Sequence, residues 1–151
     1  PGDPPEPAVD LGTLSGVTAL SACRYTLPFD PFDPEVAAEP LLLFSSLRLT
    51  DAEASETVAA LAAAPLGGGP DNPDDCSPEI AYGDEMQVLL IDSDQGRSVV
   101  HVYFSGCDHN GIDDGVALRA LTREAVQPLI AGPNAVFGWS GRKAKSEILQ
   151  R

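Results

Sequence analysis

The sequence predicts an α+β fold: a mainly antiparallel sheet of four to six strands, two helices packed on it, and one disulfide. Three observations lead there. Apolar runs of strand length recur at residues 17–25, 41–49, 85–92 and 98–104, and the last two flank Ser93-Asp94-Gln95-Gly96, the composition of a hairpin turn. An Ala-rich stretch behind Thr50-Asp51-Ala52-Glu53 carries apolar residues at helical spacing, so helices are segregated from the strands rather than alternating with each of them. Two cysteines, Cys76 and Cys107, bracket the hairpin.

Each element has its own signal. Residues 1–10 hold four prolines and three acids and read as a disordered or extended Pro-rich linker, ahead of a single α+β domain of residues 11–139. The first two strands are separated by Leu27-Pro28-Phe29-Asp30-Pro31-Phe32-Asp33-Pro34, where each proline denies a ladder donor and biases its predecessor to extended geometry. Thr50 and Glu53 are spaced as a capping box, with the hydroxyl accepting from the Glu53 N–H and the carboxylate returning to that of Thr50. Ala54, Val58, Leu61 and Ala62 then form a narrow apolar stripe, until Pro65 and Gly67-Gly68-Gly69-Pro70 stop the helix. Apolar residues on both sides of the hairpin strands suit central strands. Residues 116–121 fit a further strand or the opening of a helix, Thr122 is an N-cap for a helix over 123–131 despite Pro128, and residues 135–139 add a short edge strand.

With 151 residues, the chain can bury roughly 68–70% of its unfolded surface in one core. Leu, Ile, Val and Phe contribute 38 residues, above the roughly 20% below which disorder is expected. The formal charge of −14 argues against nucleic acid and anionic membranes as partners, and no stretch is long and apolar enough to span a bilayer. That charge is uneven. Residues 1–139 carry 22 acids against 5 bases, a net of −17, whereas the basic polar tail at 140–151 carries Arg142, Lys143, Lys145 and Arg151 against Glu147, a net of +3.

The cysteines match no zinc spacing. Cys107 lies three residues beyond one hairpin strand and Cys76 nine before the other, so a disulfide across the hairpin mouth is expected, contributing roughly 3–3.5 kcal/mol on the chain-entropy model. An oxidising compartment is the corollary. Cys23 is an unpaired core thiol on the strand reading. Leu20-Ser21-Ala22-Cys23 also fits a lipoprotein cleavage box, although its flank carries Glu6 and Asp10 and no base.

Three clusters bear on function. Asp108, Asn110, Asp113 and Asp114 supply oxygens on a Gly-hinged loop, and Ca²⁺ is the one cofactor they admit; tight-turn chemistry explains the same residues, and the EF-hand pattern fails at Ile112 and Arg119. His101 and His109 with Asp108 are the only material for a small hydrolase, but no G-x-S-x-G elbow accompanies them. Phe29, Asp30, Phe32 and Asp33 on the proline-stiffened loop form either a pre-ordered partner-binding surface or a lid over the core.

Cys23-Arg24-Tyr25, Ser46-Leu47-Arg48-Leu49-Thr50 opening an Ala-rich helix, Cys76-Ser77-Pro78, the apolar hairpin, Ser105-Gly106-Cys107 and Asn110-Gly111 resemble a recurrent type of uncharacterised exported or lipid-anchored protein of actinobacteria. The likeness spans residues 17–131. It implies export and supports the Cys76–Cys107 pairing, and it supplies no catalytic residue. The functional expectation is a secreted or cell-envelope binding domain, without catalysis, contacting a protein or cell-envelope component. The alternatives are the small hydrolase and a calcium-stabilised or protease-inhibitor-like module.

Overall fold

The computed structural model describes residues 8–26, 42–68, 85–104 and 110–134. Six strands form one antiparallel sheet: β1 (Ala19–Thr26), β2 (Leu42–Thr50), β3 (Glu85–Ser93), β4 (Gly96–Tyr103), β5 (Gly111–Asp113) and β6 (Leu118–Arg119), in the spatial order β2-β1-β3-β4-β5-β6. Helix α1 (Asp51–Ala63) and the single turn α2 (Arg123–Val126), continued by 3-10 turns to Asn134, lie on one face.

Register decides which side chains meet that helical layer. Leu20 pairs with Leu49 and Ile91, and Ala22 with Leu47 and Leu89. Leu89 pairs with Val100, and Val102 with Ile112, so one apolar row set runs across the sheet. Ala54, Val58 and Leu61 of α1, with Ala125, Val126, Leu129 and Ile130, complete the core above it. At one end the layer turns polar. Buried Arg24 lies opposite Ser45 and Gln87, its guanidinium 4.9 Å from the centroid of the Phe44 ring, and the Gln87 amide donates to the Leu129 carbonyl at 3.1 Å.

The hairpin tip is locked by a close approach. Gly16, at φ +60°, leaves the space that the Asp94 carboxylate fills, and the Asp94 N–H donates to the Ser15 carbonyl at 3.2 Å. Arg97 grips Asp92 through two hydrogen bonds of 2.8 and 3.2 Å, which lowers the carboxylate pKa below its ordinary value. Segment 65–67 covers the outer edge of β6: Ala120 N–H donates to the Pro65 carbonyl and Gly67 N–H to that of Leu118, both at 2.8 Å.

Several expectations require correction. The fold class included a disulfide, and none is present among the described residues: Cys23 is the one cysteine there and is a free thiol, while Cys76 and Cys107 lie outside them. Close to the hairpin mouth, the described strands are joined by ladder pairing instead, Met86 to Tyr103 and Tyr103 to Gly111. Cys23 is also not a core residue. It sits half-buried mid-β1 on the face away from the helices, opposite Ser46 and Val88, whereas Leu20 and Ala22 of the apparent cleavage box are core residues.

The capping box does not form. Thr50 is still paired in the sheet opposite Ala19 and makes no side-chain cap, and Asp51 turns the chain with φ +51°, its N–H donating to the Thr18 carbonyl at 2.9 Å. The second helix is one turn rather than nine residues. Pro128 has no N–H to return to Glu124, so the α-turn gives way to 3-10 geometry, while Thr122 caps it as expected by accepting from Ala125 N–H at 3.3 Å. Residues 135–139 lie outside the described residues.

Candidate functional site

A sheet of six strands measures about 24 Å across its five gaps, whereas one helix is about 10–12 Å wide with its side chains. One three-turn helix and one single turn therefore leave part of the sheet uncovered. The shortfall falls on the edge strand β2, where Leu47 and Leu49 point toward the helices but stay half-buried. Between them and the helical layer lies a groove of about 460 Å³, lined by Leu47, Leu49, Glu53, Glu56, Thr57, Glu124, Pro128 and Ala131.

Its chemistry is divided. Leu47, Leu49, Pro128 and Ala131 make an apolar floor and wall, and the buried Thr57 spends its hydroxyl on the Glu53 carbonyl at 2.7 Å. Glu53, Glu56 and Glu124 are exposed at the rim, and among the described residues no basic side chain lines the groove. Sequence pattern assigns Glu53 to a capping box and gives Glu56 and Glu124 no role. The available signal is the i, i+3 spacing of Glu53 and Glu56, which puts both carboxylates on one helix face.

Of the residues singled out from the sequence, the structure describes His101, Asn110, Asp113 and Asp114, and it sets His101 opposite Asp113 across β4 and β5. Phe29, Asp30, Phe32, Asp33, Asp108 and His109 lie outside the described residues, as do Cys76 and Cys107. Asp114 is 2% exposed, and its carboxylate accepts from Leu11 N–H at 3.2 Å, Val116 N–H at 2.8 Å and Ala117 N–H at 2.7 Å. It clamps the amino-terminal segment to the β5–β6 turn. The Asp113 carboxylate accepts from Gly115 N–H at 2.8 Å, an Asx turn. Asn110 packs its backbone against Gly68, where a side chain would collide with it. Among the described residues no group of three or more His, Cys, Asp or Glu side chains is arranged to hold a metal ion.

His101 stands on the sheet face away from the helices, opposite Val88 and Asp113, and stacks on Tyr103 with 6.2 Å between ring centroids. Cys23 shares that row, but Val88 stands between it and His101, so the two are two strands, or about 10 Å, apart. Proton transfer between them is out of reach.

Burial pushes the Tyr103 phenol above its ordinary value of 10.0, and the Asp113 carboxylate adds to the shift. The folded protein thus holds this proton where the unfolded chain loses it. Stability is expected to be undiminished below pH 10 and to fall as pH rises through the raised value. Tyrosinate absorbance across an alkaline titration checks this: Tyr103→Phe removes the late step, and Asp113→Asn moves it toward pH 10.

No helix among the described residues is long and apolar enough to cross a membrane. No protein-family model, curated protein or solved structure matches the chain.

Proposed function

We propose that this domain is a non-catalytic binding module whose ligand is a cationic segment carrying aliphatic side chains, held in the groove between β2, α1 and α2. The observation that carries this reading is the pairing, among the described residues, of an apolar floor with three rim carboxylates and no lining base. Aliphatic groups of the ligand cover Leu47 and Leu49, and its ammonium or guanidinium groups stay at the wet rim beside Glu53, Glu56 and Glu124. Charge across the rest of residues 1–139 steers the same kind of ligand toward the domain and repels polyanions. An extracytoplasmic location, in the secreted fraction or the cell envelope, is part of the proposal and rests on the resemblance across residues 17–131; immunoblotting of culture medium and cell fractions tests it.

Binding is tested by fluorescence anisotropy with a short labelled peptide of alternating lysine and leucine. Three rim contacts at about 0.5 kcal/mol each amount to about 1.5 kcal/mol, close to tenfold in Kd. Measured in a chain with Arg142, Lys143, Lys145 and Arg151 replaced by glutamine, so that no basic segment of the chain itself competes, the triple variant Glu53→Gln, Glu56→Gln, Glu124→Gln is therefore expected to bind roughly tenfold more weakly and with a shallower salt dependence. Equal binding of this peptide by the triple variant, or equal binding of an alternating glutamate and leucine peptide by the wild type, overturns the reading.

A further inference from the structure

Residue 131 lines the groove, and three residues later the chain is pinned beside it. The buried Asn134 amide donates to the Ala22 carbonyl at 2.8 Å and accepts from the Ser45 hydroxyl at 2.6 Å, across β1 and β2. Everything after Asn134 therefore departs from the edge of the acidic groove. The remaining 17 residues of the chain carry Arg142, Lys143, Lys145 and Arg151 against Glu147, interspersed with Ile148 and Leu149. At about 3.3–3.6 Å per residue this length reaches any point of the groove with chain to spare.

We propose that the basic tail, residues 140–151, is the groove's own occupant and competes with external ligands for it. The inference rests on the binding reading above. Charge complementarity is direct: three rim carboxylates face a segment of net +3, while the remainder of the chain is net −17 and offers no other basic run. Tethering supplies the rest. A tether of only the few residues between Asn134 and residue 140 gives an effective concentration of roughly millimolar order, so a tail of roughly 100 μM intrinsic Kd fills the groove about ten times out of eleven and weakens an external ligand about tenfold.

The test uses the full-length ¹⁵N-labelled chain and a variant carrying Arg142→Glu, Lys143→Glu, Lys145→Glu and Arg151→Glu, each with and without a synthetic peptide copying residues 140–151. The expected result is that charge reversal shifts the amide resonances of Leu47, Glu53, Glu56, Thr57 and Glu124, and that the added peptide moves them back. The variant is also expected to bind this peptide about tenfold more tightly than the wild type. If the peptide perturbs these amides equally in both proteins while charge reversal alone leaves them unmoved, the tail is not the occupant and the groove reading survives. If neither charge reversal nor peptide moves them, both fail. A shift that disappears on dilution assigns the tail to a second copy and overturns the intramolecular arrangement.

Discussion

Replacing Asp114 with alanine is expected to lower the stability of the domain by about 3–4 kcal/mol, read as a fall in the urea unfolding midpoint with an unchanged slope. The carboxylate is 2% exposed and takes three backbone N–H donors from both sides of a contact 103 residues apart in sequence. Hydrogen bonds to a charged acceptor contribute roughly 1.5–3 kcal/mol each, and donors left buried without a partner add to the loss. Water reaching the vacated site recovers part of it, which keeps the total below the simple sum. Asp114→Asn retains one acceptor oxygen and is expected to lose only about half as much. Equal midpoints for wild type and the alanine variant would show that the clamp carries no stability.

Leu61→Ala is expected to cost about 3 kcal/mol, within the roughly 2–5 kcal/mol range for large-to-small changes at closed sites. Leu61 is the largest fully buried side chain of α1 and packs the helix onto the sheet. The comparison is Ala59→Gly on the exposed side of the same helix, where backbone propensity alone predicts about 1 kcal/mol. A loss at Leu61 no larger than that at Ala59 would mean that α1 stands on propensity rather than on the core.

Sequence pattern is most complete where the physics is local. Apolar runs of strand length and Ser93-Asp94-Gln95-Gly96 mark β3 and β4 within two residues of their observed ends. The apolar stripe on α1 includes three of its buried residues, Ala54, Val58 and Leu61. The groove is not legible as a site. Leu47 and Leu49 look like any core-facing strand residues until the width of the helical layer is known, and Glu53 looks like a capping partner until Thr50 is seen to belong to the sheet. Asp113 and Asp114 group as oxygen donors for a cation because adjacent acids on a Gly-rich loop have that appearance. Tight-turn chemistry, the other reading of the same residues, accounts for the local donors Val116 and Ala117, and only the distant donor Leu11 is invisible before the fold is known.

By itself, the sequence determined β1 to β4 and the first helix through apolar runs, helical spacing and turn residues, and the split between an acidic body and a basic tail through charge alone. The tertiary structure decided which strand lies at the edge, which acids face a groove and which one is buried under backbone donors. Those outcomes depend on contacts between residues many positions apart, such as Leu11 with Asp114 and Ala22 with Asn134, whose energies leave no mark on the pattern of either segment alone.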